Sequence, residues 1–200
     1  LLWILPLMVA SVAAAQPRPA PAKTEVADGV YVFQTAPYGD VGLDGNSVAI
    51  VGKTGVLVFD TNGTPAAAAA VLAEIRRITQ TPVRYIVNSH WHWDHWYGTE
   101  VYKRAFPGVQ VVSQARTRAM MLGPALEFNR PGIEQHLPGY VKMLEEKAAK
   151  DPSVRQRLET ARFFLEQKRS VRHTPPDVTF EHSLHLVLGV EEEEPRVLAV

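Results

Sequence analysis

The stretch that decides the fold reads Asn88-Ser89-His90-Trp91-His92-Trp93-Asp94-His95-Trp96-Tyr97-Gly98. It directly follows a short apolar segment, residues 83–87, whose pattern predicts a buried strand. Three histidines and one aspartate therefore lie within six residues at the carboxyl end of that strand. The sequence has no cysteine, so any metal site must consist of nitrogen and oxygen ligands. Neutral imidazole and carboxylate are ligands that Zn²⁺ and Fe²⁺ accept in that situation.

The order of the four groups predicts two pairs of ligands. His90 and His92 can project the same way from an extended segment, because side chains alternate with a period of two. Asp94 and His95 come after the turn and can face a second position close by, so one loop can contribute two ligands to each of two metals. The alternatives are a surface loop or an aromatic packing cluster, neither of which requires four ligating groups in this order. The three tryptophans of the loop either line an apolar substrate pocket or brace the loop.

Strands and helices alternate on both sides of this loop. Three closely spaced strands around Val32, at 46–51 and at 56–59 predict an antiparallel meander. Thr64 and Pro65 predict the start of a helix that ends before Pro82, so a crossover connection joins the strand at 56–59 to the strand at 83–87. A helix at about 98–106, a strand at 109–112 and a helix from Gln114 repeat the alternation. The predicted fold class is α/β.

The segment from residue 123 to about 172 predicts a helical insertion of two helices. Asp151 and Pro152 mark the start of the second helix, and apolar residues then recur at helical spacing between charges of alternating sign. The insertion is either a lid or flank of the site or a helical hairpin on the surface. Strands resume at 178–181, 184–189 and 196–200.

Composition and charge exclude several classes of protein. The 200 residues are 46% hydrophobic and 21% charged, which is typical of one folded domain and not of a disordered chain. Twenty-one basic residues balance 21 acidic ones, so the net charge of zero gives no electrostatic attraction to nucleic acid or to anionic membranes. We therefore expect neither nucleic acid nor a membrane surface as a partner, and the hydrolase hypothesis given below implies a small-molecule substrate.

The first residues indicate export to the periplasm or the medium. Residues 1–15 are apolar and uncharged, and they end in three alanines, which predicts a partial signal peptide cleaved before Gln16. A membrane-spanning helix needs roughly 20 apolar residues. Residues 16–24 are rich in proline and predict an extended, unpaired linker, so the folded domain is expected to cover residues 25–200.

The His-x-His-x-Asp-His pattern after a buried strand resembles the signature of the metallo-β-lactamase superfamily. Supporting features cover most of residues 25–121, including the early hairpins and the strand that ends in Phe59-Asp60-Thr61-Asn62-Gly63. The resemblance implies an αββα sandwich of two similar halves with the metal site at the edge between them. It implies that His90 and His92 bind a first zinc, that Asp94 and His95 bind a second, and that Asp60 lies near the ligands. Alternatively, Asp60 only shapes the turn before Thr64.

The ligand set implies hydrolysis. Zinc lowers the pKa of a bound water to give a hydroxide nucleophile for an amide, lactam, ester or thioester, and Asp94 is expected to act in catalysis by orienting that water or accepting its proton. The subgroup of the family with His and Asp ligands includes thioesterases, lactonases, RNA-processing nucleases and iron-dependent dioxygenases. Three hypotheses follow: an exported zinc hydrolase, a non-catalytic binding module, and an Fe²⁺ dioxygenase on the same scaffold.

The sequence departs from the family pattern in its second half. The family completes the first metal site with a histidine in a Gly-His-Ser/Thr-like turn, followed by a bridging aspartate and a last histidine. His136, His173, His182 and His185 do not match that pattern and are predicted to be surface or structural residues. We therefore expect a sandwich that is incomplete in its second half, as in a fragment of a longer hydrolase, and a site that binds zinc weakly.

Overall fold

The computed structural model describes residues 18–190 and 195–199, so the predicted signal peptide lies outside the described residues. Seven strands form one mixed sheet in chain order. They are β1 (Ala22–Ala27), β2 (Val30–Gln34), β3 (Ser47–Val51), β4 (Val56–Phe59), β5 (Val83–Asn88), β6 (Gln110–Gln114) and β7 (Val178–Phe180). Strands β1 to β4 run antiparallel to their neighbours, and β4 to β7 are parallel. The predicted meander is confirmed, and so is the change to parallel strands after β4.

The first strand corrects the predicted linker. Ala22, Lys23 and Thr24 pair with residues of β2 and are therefore not an unpaired segment. The last proline of the segment, Pro21, comes just before the strand, so every residue of β1 keeps the backbone N–H that a ladder needs. All six side chains of this edge strand are exposed, and for that reason the strand has no alternating apolar pattern that the sequence could reveal.

Helices cover one face of the sheet. Helix α1 (Pro65–Ile78) begins where the Thr64 hydroxyl accepts a hydrogen bond from the Ala67 N–H, and it buries Val71 and Ile75. These side chains pack with α2 (Thr99–Ala105) on the apolar residues of the sheet beneath them. This layer buries one apolar face of α1 against the sheet.

A second, two-stranded sheet covers the opposite face. Its strands are β8 (His185–Val190) and β9 (Pro195–Ala199), which pair antiparallel. Leu186 and Leu188 of β8 pack against Leu57, Val87 and Val112 of the large sheet. The described residues therefore form a helix layer, a large sheet and a small second sheet.

The insertion contains more helices than predicted. After α3 (Ala115–Met121) come α4 (Pro124–Pro131), a π-helical segment (Gly132–His136), α5 (Leu137–Ala148), a 3-10 turn (Pro152–Val154) and α6 (Arg155–Ser170). The predicted start at Asp151 is confirmed, because its carboxylate accepts a hydrogen bond from the Ser153 N–H at 2.9 Å. The prediction of two helices did not include the division of the first helical run into α4 and α5, which a wider π turn beginning at Gly132 produces.

Helices α5 and α6 share a small apolar core of their own, formed by Val141, Leu144, Leu158, Ala161 and Leu165. Across residues 18–190 and 195–199, none of the helices has the length and apolar character needed to cross a membrane.

Candidate metal centre

The predicted ligands lie at the carboxyl ends of two neighbouring parallel strands. Strand β4 is followed by Asp60, and the adjacent β5 is followed by the segment 89–98, which we call the histidine loop. The loop turns through a short 3-10 helix, Trp93–His95. Since parallel strands end at the same edge of a sheet, the residues that follow them meet there.

Asp60 joins the two strand ends. Its Oδ1 accepts a hydrogen bond from the Ser89 N–H at 2.8 Å, and its Oδ2 accepts one from the Ser89 hydroxyl at 2.7 Å. The same Oδ2 accepts a hydrogen bond from His95 Nδ1 at 2.7 Å. All three bonds come from the histidine loop, so Asp60 positions that loop instead of only shaping its own turn.

The turn that carries Asp60 has an unusual backbone. Asp60 and Asn62 have φ angles of 59° and 65°, in the left-handed region that Asp and Asn tolerate better than other residues with a Cβ. The Asn62 amide donates to the Gly45 carbonyl at 2.5 Å and accepts from the Ser47 hydroxyl at 3.1 Å. Such a conformation persists only where surrounding contacts hold it, as they do here.

The four predicted ligands form two pairs. His90 Nε2 and His92 Nδ1 are 2.9 Å apart, and His95 Nε2 lies 3.3 Å from Asp94 Oδ2. The two pairs are adjacent, since the ring centroids of His90 and His95 are 4.2 Å apart. In the described part of the chain, no three His, Asp or Glu side chains converge on one point in the way a complete metal site requires.

Charges inside the cluster set its protonation. Burial lowers the pKa of His95, but hydrogen bonds and charges from Asp60 and Asp94 outweigh it and raise that pKa to about 9. Burial raises the pKa of Asp94, but the hydrogen bond from His95 brings it below its usual value. Burial and the neighbouring His95 and His92 lower the pKa of His90. Near neutral pH, the cluster therefore contains an imidazolium, a carboxylate and a neutral imidazole.

Three glycines let neighbouring segments touch the histidine loop. A Cβ at Gly45 would stand 2.5 Å from the Asp94 carbonyl, which accepts the Gly45 N–H at 3.1 Å. A Cβ at Gly63 would collide with the Trp93 ring, and one at Gly98 would collide with the Thr61 carbonyl. The backbone of the loop is thus packed directly on the segments around it.

Two of the three loop tryptophans brace the loop, and the third faces outward. Trp96 is 1% exposed, and its indole N–H donates to the Trp91 carbonyl at 2.9 Å. Trp93 packs against Gly63 and against Phe164 of α6. Trp91 is only partly buried, and its ring lies 4.3 Å from the ring of His92. Trp93 and Trp96 therefore brace the loop, and a role of Trp91 in lining a substrate pocket stays a prediction.

Lys168 of α6 is a residue of the site that sequence reasoning missed. Its side chain is buried, and its Nζ lies 3.2 Å from the centroid of the Trp93 ring and 4.5 Å from that of Tyr97. This Nζ has no hydrogen-bond partner among the described residues. Burial lowers the pKa of Lys168 to about 7, although the charges of Asp44 and Asp94 act in the opposite direction.

A signal for Lys168 was present in the sequence. The apolar stripe of α6 runs through Val154, Leu158, Ala161 and Leu165, and position 168 is its next member. A lysine on a buried stripe indicates a specific environment for its charge. Ser89 gave no comparable signal, because its bond to Asp60 joins segments that are distant in sequence.

Comparison with known proteins identifies the family of this chain. The model of the metallo-beta-lactamase superfamily matches residues 40–192. The chain belongs to the metallo-β-lactamase superfamily. The mono-zinc form of the metallo-β-lactamase FIM-1 from Pseudomonas aeruginosa has a similar fold, with a TM-score of 0.51 and 14% identity over 86% of this chain. A metallo-β-lactamase from Pontibacter korlensis gives a TM-score of 0.52 and 19% identity over 84% of this chain.

The chain spans only part of the length of those two structures. The chain covers 57% of the length of FIM-1 and 56% of that of the Pontibacter korlensis protein. The fold predicted from the histidine pattern is thereby confirmed at the level of the superfamily. The predicted metal roles of His90, His92, Asp94, His95 and Asp60 stay predictions.

The other four histidines lie apart from the two pairs of predicted ligands. His136, His182 and His185 are exposed. The ring of His173 lies 5.6 Å from that of Trp96 and 4.9 Å from that of Tyr97, behind the loop. Burial and the charge of Lys168 lower the pKa of His173.

The donor chemistry of the two pairs fits zinc. A carboxylate can only accept a hydrogen bond, so Nδ1 of His95 carries the proton bound by Asp60 and Nε2 faces Asp94. The Ser89 hydroxyl donates to Asp60, so its bond with His90 is donated by His90 Nδ1 and leaves that Nε2 as an acceptor. A partner on Nδ1 that orients Nε2 is the usual arrangement around histidine ligands. His90 and His92 would hold one ion, and Asp94 and His95 the other.

Proposed function

We propose that this protein is an exported zinc-dependent hydrolase that cleaves an amide or lactam, an ester or a thioester. Membership of the metallo-β-lactamase superfamily supports a hydrolase. The observation that carries the proposal is the bonding of Asp60 to both Ser89 and His95, because it fixes the Nδ1 sides of His90 and His95 and turns their Nε2 atoms toward the other two predicted ligands, where zinc would displace the proton of His95. An aromatic packing cluster, the alternative considered for this loop, would not require these hydrogen bonds.

In this proposal, each residue of the cluster has a defined task. Zinc, when bound, lowers the pKa of a water ligand and polarises the substrate carbonyl. His90, His92, Asp94 and His95 hold the metal, and Asp60 fixes the ring of His95. Asp94, whose pKa is kept low by His95, remains ionised and accepts or orients the proton of the attacking water.

The proposal of export rests on the apolar segment 1–15 and the alanines that end it. The small-molecule substrate follows from the proposed hydrolase function, and the neutral net charge gives no electrostatic attraction to nucleic acid. We test export by the intact mass of the protein recovered from the periplasm or medium of its natural host. A mature chain that begins at Gln16 supports it, and a chain that retains residues 1–15 overturns it.

Zinc binding tests the metal part of the proposal. We expect the full-length protein to bind zinc in a chelator competition, and His92→Ala and Asp94→Asn to weaken that binding at least tenfold. His136→Ala is the matched control, because His136 is an exposed histidine in the π-helical segment of the insertion. Equal binding by all four proteins would contradict the assignment.

Hydrolysis tests the reaction class. We expect the zinc-loaded protein to hydrolyse at least one of three probes, a phenyl ester, an acyl thioester and a β-lactam, and Asp94→Asn to lower kcat at least a hundredfold. A protein purified from its host with iron, which consumes O₂ and hydrolyses none of the probes, would support the dioxygenase instead.

A further inference from the structure

The helical insertion places an exposed aromatic ring beside the candidate metal centre. Phe128 of α4 is 72% exposed. Its ring centroid lies 6.0 Å from that of Trp91, and the two rings meet edge to face at 88°. Trp91 in turn lies 4.3 Å from His92, so an aromatic surface runs outward from the predicted ligand. We call Trp91 and Phe128 the aromatic wall.

The wall is held in place from behind. Trp91, Leu126 and Ile133 pack against buried Trp96, Tyr97 and Met121. The Trp91 carbonyl accepts the indole N–H of Trp96, which fixes the backbone of the loop at this position. The outer face of Phe128 is therefore presented by a supported helix.

The charged and polar side chains next to Phe128 already have partners. Glu127 and Arg130 form an ion pair with each other on the same helix. The Asn129 side-chain amide donates to the Ala125 carbonyl at 2.7 Å. An incoming ligand would thus meet an apolar ring flanked by groups that have partners, which favours an uncharged apolar group over an ionic one.

We infer that the aromatic wall binds an aryl group attached to the acyl part of the substrate. This inference rests on the proposed hydrolase function and narrows it to aryl-substituted esters, thioesters or amides. An aryl ring can stack on Phe128 or meet it edge to face, as Trp91 does, and exclude water from both rings. The reacting carbonyl would then lie on the side of the wall toward His92.

The test separates binding from catalysis by using metal-free protein. The probes are 3-phenylpropionate and propionate, which differ only in the aryl ring, and the readout is the indole N–H signal of Trp91 in ¹H–¹⁵N NMR spectra. We expect 3-phenylpropionate to shift that signal saturably and propionate to leave it in place. Phe128→Ala should weaken the binding of 3-phenylpropionate about tenfold, and Phe128→Tyr should retain it.

The control variant is Met143→Ala, because Met143 is another large apolar residue of the insertion and is 37% exposed. It should bind 3-phenylpropionate as the parent does. The inference is overturned if Phe128→Ala binds the probe as the parent does, or if no aryl-dependent shift occurs. It is also overturned if the parent self-associates in a concentration-dependent way that Phe128→Ala abolishes, because the wall would then be an interface between copies.

Activity of the zinc-loaded protein distinguishes this inference from the proposed function. If both hold, Phe128→Ala raises KM for a phenylpropionyl ester several-fold with kcat unchanged and leaves KM for an acetyl ester unaltered. Hydrolysis without that selectivity overturns the aryl site alone. Aryl binding to the metal-free protein without any hydrolysis overturns the proposed function alone.

Discussion

The Nζ atom of Lys168 lies 3.2 Å from the centroid of the Trp93 ring, and this contact joins the last turn of α6 to the middle of the histidine loop. The preceding residue, Gln167, accepts a hydrogen bond from the Ala66 N–H at the start of α1 at 2.9 Å. Phe164, one turn earlier, packs on Tyr38 and Trp93. Helix α6 therefore flanks the candidate site, while α5 and α6 also pack on each other as a helical hairpin does. Whether the insertion acts as a lid stays a prediction.

Replacing Lys168 with methionine should change the pH dependence of stability. The pKa of Lys168 is about 7 in the folded protein against 10.5 in the unfolded chain. Between these values, the unfolded state holds a proton that the folded state lacks, so the free energy of unfolding rises with pH by up to about 1.4 kcal/mol per unit. The charges that face Lys168 are those of Asp44, Asp94 and His173.

Urea unfolding at several pH values between 6 and 10 measures this effect. We expect Lys168→Met to be more stable than the parent at pH 6, by about 2 kcal/mol, and to lose the rise between pH 7 and 10. Lys142→Met, at an exposed position of α5, should keep it. A parent protein whose stability is flat between pH 7 and 10 would contradict the buried, largely neutral lysine.

Asp60→Asn should remove the negative charge and keep the backbone conformation of the turn. Asn tolerates the left-handed φ of 59° at this position, so the turn is retained. We expect the pKa of His95 to fall from about 9, as read by NMR on metal-free protein, and zinc affinity to drop roughly 10- to 100-fold. Glu134→Gln, an exposed carboxylate in the insertion, should change neither quantity.

The same bond makes stability depend on pH. The folded pKa of His95 is raised above its ordinary 6.5, so the bond with Asp60 stabilises the metal-free protein fully below pH 6.5. That contribution is lost as pH rises through about 9. Asp60→Asn should show a smaller loss, because only the contacts with Asp94 would then raise the pKa of His95. An unchanged pH profile in the variant would show that the ion pair with Asp60 does not form.

Gly98→Ala should destabilise the protein by about 1–3 kcal/mol, because a methyl group there collides with the Thr61 carbonyl. That carbonyl belongs to the segment whose Thr61 N–H donates to the His95 carbonyl at 2.8 Å, so zinc affinity should fall with stability. Gly108→Ala is the matched control, since a Cβ there meets nothing within 4 Å. Equal stabilities in urea for the two variants would refute the close packing.

Tyr102→Phe should stabilise the protein by about 1 kcal/mol. The hydroxyl of Tyr102 is fully buried among apolar residues and has no hydrogen-bond partner among the described residues. Tyr140→Phe is the contrasting variant, because the Tyr140 hydroxyl accepts a hydrogen bond from Arg157 at 2.6 Å. We expect a small loss of stability there, and a comparable loss in Tyr102→Phe in urea would mean that its hydroxyl is satisfied.

The sequence predicted the parts of the fold that local patterns encode. Short, mainly apolar segments located β4, β5 and β6, and Thr64 with Pro65 located the start of α1. Strand β1 was missed because an exposed edge strand has no apolar alternation. The π-helical segment was missed because a locally wider turn inside a continuous helical run leaves no mark in the apolar pattern.

By itself, the sequence determined which chemical groups are available and that they follow a buried strand. Cysteine is absent, and imidazole and carboxylate are concentrated in one loop, which together define a nitrogen and oxygen donor set. These properties depend on residue type and on spacing within a single segment. They require no knowledge of what lies across the sheet.

Only the tertiary structure decided how those groups are held. The bonds of Asp60 to Ser89 and His95, the Lys168 contact with Trp93, and the position of Phe128 beside Trp91 each join segments that are separate along the chain. Hydrogen bonds and ring contacts depend on distances of a few ångströms, and only the packing of β4, β5, α4 and α6 brings these residues that close.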